Sequence, residues 1–593
     1  MTMRNQNTTY KKIAFYGMML LGMTSCSEAL DPVLDNTYGE DFAYGLPEKT
    51  EGFLMNAYAN VPGSFVAEYG GDFLDVATDN ATTNAFGSAL YRVSAGAISP
   101  ANNPVGNWNN AYNQFRNIHI FLENGLGDNV TYNLSDPDAD MAKRMNLKGD
   151  AFYLRAWWGF TLLKQYGGKA ANGEALGYPI VLSSEEYSET SGLEDIQRNT
   201  YEECVEQIVK DLDSAYLYLP KTYTGGDPIV GVQQLGRADK QNVRALKSRV
   251  AVYAASPANQ SDEVVSIAGM GSFNVLNEAA FVQKWVDAAE YSQEAIEEVG
   301  NFSSLKTGDF NNNTSPGEFV WRTYHNNRDL ENKNYPISEF GQARTSPSQN
   351  LVDAYPMQNG YPIDDPRAGF DPENPYANRD PRLDLTIFYN GQTLDGQALE
   401  IYEGGKDSKA RNQQNTRTGY YLRKWLSVQN GMLDPVSPTN DHHNHALIRK
   451  TEVYLNFAEA SNEAFGPTAV GPEMSQSAVE VIKSIRSAAG ITDNSYVDEV
   501  AAQGKEAFRE FIQNERRLEL AFENHRYWDL RRWIMPLNET VRGVRILKGE
   551  EGDLSFEEFT VEERKFDDVK YYYHPLPYDE LVKSPQMIDN KGW

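Results

Sequence analysis

The stretch Thr200-Tyr-Glu-Glu-Cys-Val-Glu-Gln-Ile-Val-Lys-Asp-Leu-Asp-Ser-Ala-Tyr-Leu-Tyr-Leu-Pro220 reads as one complete helix. Tyr201, Val205, Ile208, Val209, Leu212, Ala215, Tyr216 and Leu219 recur at helical spacing and make one apolar stripe. Thr200 with Glu203 three residues on is a capping box, and Pro220, which has no N–H to give, stops the helix. Such a stripe must be covered by neighbouring helices, so the fold is decided by whether the rest of the chain supplies them.

It does. Residues 108–124 and 142–166 read as a helix pair, the second ending at Gly167 and Gly168. Val243, Leu246, Val250 and Tyr253 share a face over 240–255, with Pro257 as the stop. Further helices are expected over 279–298, 449–465, 476–489 and 505–532. Paired amphipathic helices joined by short turns stack on one another, and since no strict period emerges they read as degenerate tetratricopeptide-like pairs in a mainly α fold. Between about 300 and 445 the chain turns to Asn, Gly, Pro and Tyr, with short strands expected at Glu318–Arg322, Leu385–Tyr389 and Gly419–Leu426. Residues 68–107 have the same composition. Loops on a rigid scaffold are where binding sites are usually built, which makes these two regions candidates for one shared site.

The amino terminus carries a different signal. Lys11 and Lys12 precede an apolar run, Ile13 to Met23, that is too short to span a bilayer, and Thr24, Ser25 and Cys26 follow at once. Residues 1–25 therefore read as a secretory signal, similar to a bacterial lipoprotein signal in which Cys26 is lipidated and becomes the first mature residue.

Composition narrows the function classes. The 593 residues would suggest about three or four domains by length alone. With no linker-like tract after Ser27, one body of two closely packed parts, 26–299 and 300–593, is the better reading. A formal charge of −29 repels polyanions and argues against nucleic acid; it mildly favours neutral glycans or basic peptides over acidic glycans as ligands. Tyrosine, at 35 residues, leads the aromatics and suits half-wet recognition surfaces. Cys204 sits within the Thr200 helix beside Val205 and reads as a core thiol. Trp108, opening a helix, also reads as core.

Catalytic and metal signals are weak. There is no GxSxG and no HExxH. Asp441, His442, His443 and His445 form the only histidine cluster and read as a solvated loop rather than a metal site. Glu515, Arg516, Arg517, Glu519, Glu523, Arg526, Asp529, Arg531 and Arg532 crowd one expected helix and read as ion pairs that lock helices together.

A series of short motifs resembles one family. In order they are Gly149-Asp-Ala-Phe-Tyr-Leu-Arg-Ala156, Tyr166-Gly-Gly168, Asp211-Leu-Asp213, Gly236-Arg-Ala238, Ser346-Pro-Ser-Gln-Asn-Leu-Val-Asp353, Asn378-Arg-Asp-Pro-Arg382 and Thr418-Gly-Tyr-Tyr-Leu-Arg-Lys424. Glu452-Val-Tyr-Leu-Asn-Phe-Ala-Glu-Ala460, Asn514-Glu-Arg-Arg-Leu-Glu-Leu-Ala-Phe-Glu523, Arg526-Tyr-Trp-Asp-Leu-Arg-Arg-Trp533 and Asn590-Lys-Gly-Trp593 complete it. The chain resembles the SusD/RagB family of surface lipoproteins that accompany TonB-dependent transporters in Bacteroidetes. Glu28 and Asp31 look like the short export signal of such proteins. The resemblance implies a SusD-like fold with four tetratricopeptide-like helix pairs as scaffold, a loop-rich half that binds glycan, and a SusC-like transporter in the outer membrane as partner. It implies no enzyme and no cofactor, although calcium bracing a loop stays open.

Sugar binding asks for aromatic faces and for planar polar groups that bridge hydroxyls. Asp79, Asn80 and Tyr91 in the first loop region, and Trp321, Tyr324, Asn326 and Arg328 after a strand in the second, are the expected contacts. The expected function is capture of an oligosaccharide or polysaccharide outside the cell and delivery to the transporter. Peptide or glycopeptide capture is the alternative, with a surface glycoside hydrolase behind it.

Overall fold

The computed structural model describes residues 44–184, 196–261, 265–269, 272–275, 279–312 and 317–593. The signal segment 1–25, Cys26, Glu28 and Asp31 lie outside the described residues. The scaffold helices are α1 Pro47–Ala59, α2 Trp108–Asn124, α3 Pro137–Tyr166, α4 Tyr201–Tyr218, α5 Lys240–Ala255, α6 Ala279–Val299, α7 Lys450–Phe465, α8 Ala478–Ala488, α9 Ser495–Ala502, α10 Lys505–Glu519 and α11 Arg526–Arg532. From α1 to α7 each helix packs on the next, and α7 is then flanked by α8 and α10. The stripes read from the sequence are the packed faces: in α4, Tyr201, Cys204, Val205, Ile208, Leu212 and Ala215 are buried, and Thr200 and Glu203 form the capping box.

The strands are short and pair in twos. Those that matter below are β1 Ala81–Thr83, β2 Phe319–Asn327, β3 Thr345–Pro347, β4 Asp441–Arg449, β5 Val541–Lys548 and β6 Leu554–Glu562. They pair β1 with β3, β2 with β4 and β5 with β6, all antiparallel. One hydrophobic core runs from Leu54 to Met587 and draws on both halves of the chain, and a smaller cluster gathers around Trp285.

Four expectations change. Helix α3 begins five residues before its expected start because Asp136 caps it and Pro137 occupies its first turn, where a missing N–H costs nothing. The expected helix 505–532 is two helices. Phe522 and Asn524 between them adopt left-handed backbone, at φ 58° and 61°. Asp75 accepts the Phe522 N–H at 3.1 Å, and the Asn524 side chain accepts from Leu74 N and donates to the Phe65 carbonyl. The first loop region thus holds the break open. The expected strand at 385–389 shrinks to Ile387–Phe388, because Leu385 and Thr386 still belong to a short helix, Pro381–Thr386.

The fourth change is the histidine cluster, which is not a solvated loop but the start of β4. The period of two turns His443 and His445 inward, where both are buried, while His442 lies against Tyr324. His445 Nδ1 donates to the Pro62 carbonyl at 3.1 Å, and His443 Nε2 lies 3.2 Å from buried Glu331. Among the described residues no group of His, Cys, Asp and Glu is placed to hold a metal ion.

The charged stretch 515–532 does lock the helices together. Arg449 reaches Glu318, Glu519 and Glu523; Arg382 reaches Asp380, Glu515 and Glu519; Arg516 and Arg532 share Asp529, and Arg532 also grips Glu459. All of these groups are buried. Burial alone would raise the Glu519 carboxyl, but Arg449 and Arg382 override it and hold the group down at about 2.

Candidate functional site

The two loop regions meet through β1 and β3, with Ala81 opposite Pro347 and Thr83 opposite Thr345. Just past β1, Asn84 donates from its side-chain amide to the carbonyls of Gln342 at 2.8 Å and Gln414 at 2.7 Å, tying together three segments distant in sequence. Arg344 returns to Asp72 at 2.6 Å and to the Gly70 carbonyl at 2.9 Å. Gly71 there has φ +98°, a backbone conformation that glycine adopts without the strain a side chain would bring.

On this frame stands an aromatic ledge. Phe86 is 58% exposed, and Tyr91 meets it edge-on with ring centroids 5.2 Å apart. Ser88 accepts the Tyr91 N–H and so starts the turn that aims the ring. The guanidinium of Arg417 lies over both rings, 4.9 Å from Phe86 and 5.7 Å from Tyr91. It is fixed by Thr82 Oγ1 at 2.6 Å, the Thr83 carbonyl at 3.0 Å and Glu562 at 2.7 Å. Arg417 also lines a cavity of about 280 Å³ between the 401–417 loop and the β5–β6 hairpin, together with Lys409, Gln413, Arg545 and Phe559. Phe340, held at φ 63° and 62% exposed, stands two residues before the Gln342 carbonyl that Asn84 grips. The arrangement offers apolar ring faces beside amide and guanidinium donors, the set a hydroxylated ring requires.

The residues expected from sequence separate into three groups. Asp79, Asn80 and Trp321 are corrected: all three are buried with their polar atoms already engaged. Asp79 lies 2.9 Å from Arg517 and 2.8 Å from Arg526; burial would raise its carboxyl, and the two guanidiniums instead hold it well below the usual carboxylate range. Asn80 donates to Asp75 at 2.9 Å and accepts from Arg517 at 2.8 Å. Trp321 points inward from β2, donates to the Gly236 carbonyl at 2.9 Å and packs edge-on against Tyr153 and Trp157. Asp79 and Asn80 thus tie the first loop region to the charged seam, Trp321 belongs to the helical core, and none of the three is exposed.

Tyr91 is the one candidate on the ledge. Tyr324 and Asn326 lie along β2 and Arg328 directly follows it: Tyr324 is 62% exposed and stacked on His442 at 4.9 Å, Asn326 is exposed, and Arg328 donates to Asn440 at 2.9 Å. Phe86, Phe340, Arg417 and Lys409 were missed. Phe86 falls inside the 68–107 loop region already singled out, and Arg417 directly precedes the Thr418 motif, so position along the chain was available as a signal where residue spacing was not.

Trp108 and Cys204 are both buried, as expected. Burial pushes the Cys204 thiol up to about 12, far from the range of a reactive thiolate. Among the described residues no helix is long and apolar enough to cross a membrane.

Comparison with known proteins gives one consistent answer. A SusD-like protein of Formosa agariphila is 26% identical over 239 residues, 38% of this chain and 40% of that protein. A second from the same organism is 35% identical over 98 residues, 16% and 18% of the two chains. The chain therefore spans less than half the length of the curated relatives it matches. In fold, the structure is similar to the crystal structure of a SusD-like protein from Bacteroides fragilis, with a TM-score of 0.71 at 21% identity over 94% of this chain and 99% of that one. A SusD-like carbohydrate-binding protein from the same species gives 0.66 at 20% identity, over 92% and 99% of the chains. A laminarin-binding SusD-like protein gives 0.55 at 19%, again over 92% and 99%. A family described as starch-binding and associating with the outer membrane matches residues 38–251, and the SusD family matches residues 297–593. On that match, together with the mainly helical fold, this chain belongs to the SusD family.

Proposed function

We propose that this protein captures glycan on the outer face of the cell without cutting it, and passes the ligand to a SusC-like TonB-dependent transporter in the outer membrane while lipid on Cys26 holds it there. The observation that carries the binding half of this reading is the Phe86–Tyr91–Arg417 ledge, three groups of sugar-stacking and hydroxyl-bridging chemistry fixed by side-chain bonds across three chain segments. The family described as associating with the outer membrane, and the laminarin-binding protein of the same fold, support the ligand class and the location. A short oligosaccharide meets only two or three such groups on a half-wet surface, so its affinity is expected to be about micromolar or weaker.

Affinity electrophoresis through a panel of polysaccharides tests this. Wild type is retarded by at least one polymer and releases no reducing ends, and Phe86→Ala with Tyr91→Ala weakens retardation roughly tenfold with an unchanged melting curve. Equal retardation of variant and wild type would remove the ledge from the site. Retention of peptides from a tryptic digest with no polysaccharide retarded would replace glycan by peptide as the ligand. The hand-off has its own measurement: radiolabelled palmitate should enter the wild-type chain and not Cys26→Ala, and the membrane-extracted protein should co-purify with a transporter barrel.

A further inference from the structure

The net charge of −29 spread over the chain suggests a surface that turns anions away, but the cavity beside the ledge has the opposite character. Its charged lining is Lys409, Arg417 and Arg545 against Glu403 alone. Arg545 is matched by Glu403 at 3.1 Å. Arg417 shares Glu562 with Arg564, one carboxylate for two guanidiniums, so that trio keeps a positive charge. Lys409 is exposed and has no carboxylate partner among the described residues; the same is true of Arg411, two residues along the same loop. From 401 to 417 the chain places four cations, Lys406, Lys409, Arg411 and Arg417, against two acids, and of the four Lys406 is matched from outside the loop by Glu339 at 3.0 Å. One of those acids, Asp407, is buried and receives Ser338 and the Glu400 N–H, so it does not face the ledge.

From this geometry we infer that the cavity selects glycans carrying an oxyanion, the carboxylate of a uronate or a sulfate ester, seated between Lys409 and Arg417 while the sugar ring rests on Phe86 and Tyr91. This deepens the glycan reading and rests on it. The bulk acidity does not oppose it at close range, because screening in physiological salt acts over about 8 Å and an anion in the cavity meets these cations first. The Arg417 fork is already oriented by Thr82, Thr83 and Glu562, and Lys409 is a free point charge at the rim. Rim charges of this kind govern which ligand is accepted more than how tightly the ring is held.

Matched polymers test it: polygalacturonate against its carboxyl-reduced product, and a sulfated galactan against its desulfated product, each in low and high sodium chloride. The charged member of one pair should bind roughly tenfold better in low salt, lose that advantage in high salt, and lose it again in the Lys409→Gln Arg411→Gln double variant but keep it in the charge-preserving Lys409→Arg Arg411→Lys variant. Which pair shows the effect separates carboxylate from sulfate. Neutral polymers bound as well as or better than their charged partners, or a preference that survives the double variant, would overturn the inference and leave the glycan reading intact. No polymer bound at all would overturn the glycan reading itself.

Discussion

The seam between α10, α11 and β4 and the cavity beside the ledge are both built from arginine, lysine and glutamate, and they differ in one respect: whether the charges are matched. In the seam, Arg449 alone meets three carboxylates, Lys424 meets Glu523 at 2.8 Å, and every group is buried. Lys409 at the cavity, and Arg411 two residues along the same loop, are exposed and have no carboxylate partner among the described residues. A charge withdrawn from water must be paired or it is too costly to bury, whereas an exposed one can be left for a ligand. Charge density therefore marks architecture in the first region and, on the reading proposed above, recognition in the second, and counting acids and bases along the chain cannot tell the two apart.

The largest effect expected from this contrast is on stability. Arg449→Met leaves Glu318, Glu519 and Glu523 facing one another with less positive charge between them, and should lower unfolding free energy by about 3–5 kcal/mol in urea titration. Lys409→Gln, by the same measurement, should stay within about 0.5 kcal/mol of wild type. If Arg449→Met cost less than the lysine change, the carboxylates would be relaxing or protonating at little expense, and the seam would not be the lock described here.

How far this was legible in the sequence follows the range of the forces involved. The helices were read well because caps and stripes are local: Thr200 with Glu203, and Val243 with Leu246, Val250 and Tyr253, carry their own instructions. The break at Phe522 and Asn524 was not legible, since no glycine marks it and the groups that hold it, Asp75 and Phe65, come from the other end of the chain. The region of the site was legible from loop composition, but its residues mostly were not. Asp79 has the chemistry of a sugar contact, yet its partner Arg526 lies 447 residues away, and nothing near Asp79 announces it. Trp321 and Tyr324 occupy one strand with the same aromatic character, and only the pairing with β4 decides that the first faces the core and the second faces water. The acidity of the whole chain is a poor guide to the charge at the cavity for a related reason: an ion responds to the few charges within screening distance, not to the sum.

A second test uses β4, which runs from the surface at Asp441 to the seam at Arg449 and carries His445 between them. Burial lowers the His445 imidazole to about 3, and its bond to the Pro62 carbonyl offsets this only in part. Because the folded value lies below the unfolded one near 6.5, His445 is neutral in the fold, its contribution to stability is fully present above about pH 6.5, and it is lost as pH falls toward 3. Between pH 7 and pH 5 the loss amounts to about 2 kcal/mol. His445→Asn should flatten that part of the acid slope relative to wild type; an identical slope would mean that the strand opens locally and lets the ring protonate without unfolding.

The smallest effect sharpens where the binding surface ends. Tyr324 has one ring face against His442 and stands 62% exposed on β2, so Tyr324→Ala should change unfolding free energy by no more than about 0.5 kcal/mol. Its consequence for binding decides between two extents of the site. If the ligand is held at the ledge and its cavity, polysaccharide retardation by Tyr324→Ala should stay close to wild type while Phe86→Ala loses most of it. If both rings matter comparably, a long polymer must run from the ledge to β2, and then a short oligosaccharide, unable to reach both, should respond to Phe86→Ala and be indifferent to Tyr324→Ala. The comparison of long and short ligands thus measures how much of this exposed aromatic surface a single chain of sugars can cover.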